Sequence, residues 1–139
     1  MDTKNTKEIT KGTKISEKFD PLSGRVIQCA LTVHRSLGPG LLESVYERCL
    51  AHELSLAGIR AERQRAVPLN YKDLWIECGY RLDLLVDDQL VVELKTVDQL
   101  LPVHEAQILT YMKMSRMKTG LLINFNSKFL KQGIKRYVF

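Results

Sequence analysis

The stretch RLDLLVDDQLVVELK, residues 81 to 95, constrains the fold more than any other part of the chain. Two apolar runs of strand length flank a polar turn, which is the pattern of a β-hairpin. Yet Asp83, Glu93 and Lys95 stand inside those runs, where desolvation is costly unless a partner, a metal or water compensates. Alternation places Glu93 and Lys95 on one face with Val91, and Leu90, Val92 and Leu94 on the other. The turn decides where Asp83 goes. A two-residue loop at Asp87 and Asp88 pairs Asp83 with Val92 and sends it to the wrong face, whereas a three-residue loop from Asp87 to Gln89 sets it opposite Glu93. A one-residue bulge restores the same match. One of these two irregularities is therefore predicted, and a regular two-residue hairpin would count against a shared site.

The surrounding pattern places this hairpin in an α+β domain. GRVIQCALTVHRSLG has helical spacing at Val26, Ile27, Ala30, Leu31 and Val33 and stops at Gly38. After GPG, helical spacing returns at Leu42, Val45, Cys49, Leu50 and Leu54, with Gly58 as the expected cap. Three extended runs follow, RAERQRAVPLNYK, LWIECGYRLDLLV and QLVVELKTV, and read as an antiparallel meander with Pro68 at an edge strand or strand end. VHEAQILTYMKMSRMKTG is a third helix behind Pro102, with Gly120 beyond its end, and GLLINF and GIKRYVF close the domain as strands. The predicted architecture is one mixed β-sheet, a three-strand antiparallel meander plus C-terminal strands, flanked by helices. Residues 1–20, rich in Lys, Thr and Ser, read as a flexible N-terminal tail before a domain over 21–139.

A chain of 139 residues suits one core without staples. No apolar run approaches the roughly 20 residues that span a bilayer. The start, MDTKNTKEITKGTK, lacks the apolar segment of a secretory signal, and the three cysteines, Cys29, Cys49 and Cys78, are odd in number and widely spaced. A reducing, cytoplasmic setting is expected. The net charge of +5 is uneven: from Met112 to Phe139 there are seven Lys or Arg and no acid, including Lys113, Arg116, Lys118, Lys135 and Arg136. Such a region attracts a polyanion, although basic residues also simply keep a small protein soluble.

If Asp83, Glu93 and Lys95 converge, their chemistry is coherent. Neighbouring carboxylates repel, and a divalent cation with hard oxygen ligands relieves the repulsion, Mg²⁺ being the natural candidate. A bound Mg²⁺ lowers the pKa of a water and polarises a phosphoryl oxygen, while an adjacent ammonium orients that water or offsets developing charge. On those three residues alone a solvated strand face or an ordinary Glu–Lys pair stays open. Two further sets add weight. Glu43 and Tyr46 share a face of the second helix, and Gln107 and Tyr111 share a face of the third. Each has a simple structural account, Glu43 as a first-turn acid complementing the helix dipole and the Gln–Tyr pair as boundary residues.

The ordered blocks VHRSLGPGLLESVYE, YRLDLLV, VVELK, HEAQILTY and GLLINF followed by GIKRYVF resemble, from about Val26 to Val138, the GxxExxY proteins, a compact branch of the PD-(D/E)xK nuclease superfamily. The resemblance implies a restriction-endonuclease-like core and a metal-dependent nuclease hydrolysing phosphodiester bonds of DNA with Mg²⁺ or Mn²⁺. It matches Asp83 to the metal-binding Asp, Glu93 to the second acid, Lys95 to the motif lysine, and Glu43 to an upstream helical acid that helps hold the metal. Gln107 and Tyr111 resemble the Gln-x-x-x-Tyr signature of RecB-like and lambda-exonuclease-like nucleases, in which the Gln supports the site and the Tyr lies near the substrate strand. The alternative is a non-catalytic nucleic-acid-binding or assembly module that keeps the scaffold. A homodimer through the meander edge is compatible with both.

Other chemistry is less well supported. Cys49 and His52 form one loose pair with no second pair at structural zinc spacing. His104, near Gln107 at a helix start, could touch phosphate or a metal-bound water, but a local hydrogen bond at the helix end is the plainer expectation. Trp75, Tyr71 and Tyr80 could stack on bases, with packing in the core or on the sheet as the plainer expectation. No phosphate-binding glycine loop is present.

Overall fold

Asp20 and Pro21 set the first long helix. Asp20 caps it by accepting from the Ser23 N–H at 3.1 Å, and Pro21 occupies the position whose N–H would be unsatisfied anyway. The computed structural model describes residues 7–9 and 20–139. Its elements in chain order are β1 (Lys7–Ile9), α1 (Pro21–Leu37), α2 (Glu43–Leu56), β2 (Ala61–Tyr71), β3 (Leu74–Val86), β4 (Leu90–Lys95), α3 (Pro102–Ser115), β5 (Thr119–Asn124), a 3₁₀ turn (Leu130–Gly133) and β6 (Ile134–Val138). Apart from β1, this is the predicted order. Lys7–Ile9 lie in the segment expected to be a flexible tail but pair with β6, and the rest of residues 1–19 falls outside the described residues.

The six strands form one mixed sheet in the order β1-β6-β5-β4-β3-β2, antiparallel throughout except for the parallel pair β4–β5. Parallel neighbours need a crossover, and α3 supplies it, so α3 is committed to one face. Ile108 and Met112 of α3 pack there on Val67, Leu82, Leu85, Val91, Leu122 and Tyr137. Gly120 permits the close approach, since a Cβ at that position would stand 2.6 Å from the Met112 sulfur. On the other face α1 and α2 bury Val26, Ile27, Tyr46, Leu50 and Leu54 against Leu84, Val92, Leu94, Leu121 and Ile123. The result is an α/β/α sandwich. No described helix is long and apolar enough to cross a membrane.

The edge strand β2 carries the predicted proline. At Pro68 the register shifts: Val67 pairs with Tyr80 but Leu69 with Ile76. Proline is tolerated there because it lies on the edge and at an irregularity, where no ladder donor is needed. Lys72 and Asp73 both have positive φ in the two-residue turn that joins β2 to β3.

Candidate active site at the parting of two strands

The turn between β3 and β4 has three residues. Val86 pairs with Leu90, Leu85 with Val91 and Leu84 with Val92, leaving Asp87, Asp88 and Gln89 as the loop. Asp87 and Asp88 adopt positive φ, a conformation that short acidic side chains tolerate better than most. Continued by one step, this register sets Asp83 opposite Glu93. The ladder stops before that pair, and side chains take over: the Asp83 N–H donates to Glu93 Oε1 at 3.0 Å, and the Leu94 N–H donates to Asp83 Oδ2 at 2.8 Å. Each carboxylate thus satisfies a main-chain donor that the parted strands leave exposed.

The break reaches the other neighbour of β3 as well. Arg63 pairs with Leu84 and Arg65 with Leu82, while Gln64 between them has φ 54° and drops out of the ladder. The alternation of β3 breaks in step. Leu82 and Leu85 pack towards α3, while Leu84 and Val86 pack towards α1 and α2. Asp83 therefore sits at a point where the sheet is interrupted on both sides.

Lys95 and Gln107 approach this point from the α3 face. The Lys95 ammonium donates to Gln107 Oε1 at 3.1 Å, which fixes the lysine and ties β4 to α3. One turn further along α3, the Tyr111 ring lies 5.1 Å from that of Tyr80. Burial, then the charge of Glu93, raises the Tyr111 pKa, with Tyr80 and Asp83 adding to it. Glu43 comes from the opposite layer as the first residue of α2. Its carboxyl is raised by burial first and then by Asp83, while Lys95 pulls the other way.

Tyr46 explains how Glu43 is held. Fully buried and stacked on Phe125 at 4.6 Å, it donates its hydroxyl to Gly38 O at 2.5 Å and accepts the Leu41 N–H at 3.1 Å. These bonds fasten the GPG loop, in which Gly38 and Gly40 take φ of 68° and 101°, to the start of α2. In the Gly40, Glu43, Tyr46 motif the tyrosine is a brace and the glutamate faces the site.

The electrostatics mark the pair at the break. Glu93 is 4% exposed, and burial, reinforced by Asp83, pushes its carboxyl up to about 8. Asp83 is also raised, by burial first and Glu47 next, against the Leu94 N–H, Lys95 and a hydrogen bond with the Glu93 carboxyl. Glu43, Asp83 and Glu93 against Lys95 leave a formal charge of −2 when all are ionised. The donor set, hard carboxylate oxygens with excess negative charge, suits a small divalent cation. Among the described residues no group of three or more His, Cys, Asp or Glu stands arranged to hold a metal, and Asp83 and Glu93 each give one carboxylate oxygen to a main-chain donor.

The family-model comparison is decisive for the lineage: the model described as the PD-(D/E)XK nuclease superfamily matches residues 20–137. The chain belongs to the PD-(D/E)XK nuclease superfamily. No curated protein matches it, and no solved structure does. A mixed six-strand sheet flanked by helices is consistent with the restriction-endonuclease-like fold of that superfamily.

Other expected residues fall differently. Lys113, Arg116 and Lys118 are exposed at and just beyond the end of α3. Lys135 instead pairs with Glu105 at 3.1 Å, and Arg136 is 7% exposed, bonded to Asp20 and Ser23. Arg136 is thus turned into the fold and is not a surface contact for nucleic acid, because alternation on β6 directs it towards the α1 layer. Arg60, Arg63 and Arg65 are each paired with an acid. His104 accepts the Leu101 N–H at 2.9 Å as a local cap. Trp75, Tyr71 and Tyr80, expected to pack in the core or on the sheet, are 57%, 58% and 37% exposed.

Sequence reasoning passed over Glu47 and Gln64. Glu47 is one turn beyond Glu43, buried, and held by Arg63 Nε at 3.1 Å and Gln64 Nε2 at 2.5 Å. Its spacing of four from Glu43 was a usable signal. Gln64 had none, since its position depends on the interruption of β2.

Proposed function

We propose that the chain is a divalent-metal-dependent nuclease that hydrolyses phosphodiester bonds of DNA, within the GxxExxY group and close to the RecB-like and lambda-exonuclease-like nucleases. The observation that carries this reading is the convergence of Asp83, Glu93 and Lys95 where β3 and β4 part, with Glu93 buried and its carboxyl raised to about 8. Clustered carboxylates with raised pKa cost stability, and such groups concentrate at functional sites.

Asp83, Glu93 and Glu43 would hold Mg²⁺ or Mn²⁺, which when bound supplies Lewis acidity at a phosphoryl oxygen and an acidified water. The remaining work falls to side chains of the chain itself. Lys95, steadied by Gln107, presents its ammonium to the attacking water or to the charge that develops on the phosphate. Tyr111 lies beside the acids, placed to border the substrate strand. Lys113, Arg116 and Lys118, exposed at the end of α3, attract the backbone.

The test is cleavage of single-stranded, double-stranded and flapped DNA, and of RNA, with Mg²⁺, Mn²⁺ or chelator, by wild type, Lys95→Ala and Asp83→Asn. Metal-dependent cutting that is lost in both variants supports the reading and names the substrate. A folded protein that binds nucleic acid without cutting any of these, equally well with and without metal, sinks it in favour of a binding module.

A further inference from the structure

We propose that the outer end of the β2–β3 hairpin, with the groove between it and the end of α3, is a docking track for a single strand of nucleic acid that leads to the carboxylate site. This inference rests on the nuclease reading and adds where the substrate lies and in which form.

The first observation is the hairpin's length. β2 and β3 run for 11 and 13 residues, whereas β4 and β5 run for six each. Pairing of β3 with β4 ends at Leu84 and Val92, so among the described residues the outer hairpin is a two-stranded ribbon with no third strand. Such a ribbon is marginal on its own and gains nothing from showing large apolar groups to water. Yet Tyr71, Leu74, Trp75, Ile76 and Tyr80 are all exposed, Leu74 the most at 59%. Large apolar groups left exposed together at one end of a ribbon mark that end as an interaction surface, and Trp75 among them lines the adjoining groove.

The second is the charge of the groove. Its volume is about 470 Å³, and its lining among the described residues includes Trp75, Leu82, Arg65, Arg116 and Met117 but no acid. Arg65 shares its guanidinium with Glu62 on the exposed surface, whereas Arg116 makes no ion pair among the described residues. Arg116 also caps α3 at φ 61° and ψ 31°, the left-handed conformation in which glycine or asparagine is the usual choice. A long cation is therefore held at the groove despite a conformational cost.

Continuity with the site is the third. Gln107, Tyr111 and the groove-lining Ser115 recur every four residues on α3, hence along one helix face. That face runs from the Lys95 contact through the Tyr80–Tyr111 ring pair to the groove. Eight residues of helix cover about 12 Å, a span over which bases stacked at about 3.4 Å per step number three to four. Aromatic faces beside arginines suit unpaired bases and their backbone, and paired bases keep their faces within the duplex. A second copy of the chain fits less well, because a two-fold contact sets this groove against an identical one whose described lining offers its arginines no acid.

Trp75 is the one tryptophan of the chain and serves as a built-in reporter. With chelator present to prevent cutting, short oligothymidylate and oligouridylate are titrated against the full chain while Trp75 fluorescence is followed. Affinity is measured separately by anisotropy of labelled strands for wild type, Trp75→Ala, Tyr80→Ala and Arg116→Ala. The expected result is saturable quenching by either strand, weaker quenching by duplex, and affinity lowered about tenfold or more by loss of either aromatic. Arg116→Ala lowers it a few-fold with a shallower salt dependence. These residues are exposed, so thermal melts followed by circular dichroism should match wild type. Binding without quenching, at equal affinity in Trp75→Ala, overturns the track; if wild type cuts DNA in the parallel metal assay, the nuclease reading survives that failure. A dimer in sedimentation that Trp75→Ala dissociates, with strand affinity unchanged, also overturns the track and assigns the surface to self-association. No binding of any strand and no cutting overturns both.

Discussion

At the start of α1, Asp20, Ser23 and the buried Arg136 form a closed set of charges, whereas Asp83, Glu93 and Lys95 at the parting of β3 and β4 form an open one. In the closed set a carboxylate faces a guanidinium and two donors from Ser23. Burial works against the Asp20 anion, but the Ser23 donors and Arg136 outweigh it and hold the carboxyl below its ordinary value. In the open set two acids face each other, Lys95 is drawn to Gln107, and the acids titrate above their ordinary values. Both sets lie inside one small domain, so burial alone does not distinguish them. What differs is the sign of the partner. Opposite charges fasten a helix to an outer strand, while like charges store an electrostatic cost that a cation can relieve.

The largest effect should come from the open set. Lys95→Ala is expected to reduce metal-dependent cleavage by about a hundredfold or more, read from initial rates, with a melting temperature close to wild type. A large fall in stability instead would mean that the lysine belongs with the structural charges. The closed set predicts the converse. Arg136→Met should cost about 2 kcal/mol in urea unfolding, below the range for a fully buried pair because the Asp20 side chain is 40% exposed, and should leave the cleavage rate unchanged in the folded protein.

Glu93 separates the two sets by the sign of its pH dependence. Its carboxyl titrates near 8 in the folded chain against an ordinary value of 4.5, so the folded state holds more protons between those values. Metal-free stability should therefore fall as pH rises from about 4.5 to about 8 and level off above. Glu93→Gln should flatten that slope, raise stability at pH 8 by roughly 1–3 kcal/mol and abolish cleavage. Unfolding in chelator across this range checks it, and a mutant as pH-dependent as wild type would remove Glu93 from the open set. The smallest effect concerns a neutral contact. Tyr46→Phe should cost about 1 kcal/mol in denaturant unfolding by leaving Gly38 O and the Leu41 N–H without the hydroxyl, and should lower cleavage by shifting Glu43.

Much of the architecture was legible because it follows from local chemistry. Helical spacing, Pro102, Gly38 and Gly58 located the three helices, and short extended runs between turn signals located β2 to β6. The three-residue turn was one of the two outcomes compatible with Asp83 and Glu93 sharing a face, and it is the one found. The start of α1 was read late, although Asp20 followed by Pro21 is a recognisable cap. Lys7–Ile9 were not read as a strand, since three residues in a polar segment carry no period and their pairing depends on the edge of β6.

The candidate acids and Lys95 could be named from sequence since residue type and spacing within one strand or one helix are one-dimensional facts. Their meeting could not. Glu43 and Gln107 lie on opposite faces of the sheet, and only the interrupted ladder at Asp83 brings their elements to one place. Charge behaved likewise. Composition shows a basic C-terminal region, yet alternation on β6 turned Arg136 into a core ion pair and left Arg116 at the surface. Whether an aromatic is buried or exposed also depends on what covers it, and Trp75 stands on a part of β3 that no third described strand joins. Sequence fixes which groups are available and their local period; long-range packing fixes which of them lose water and which face a partner of like or opposite charge.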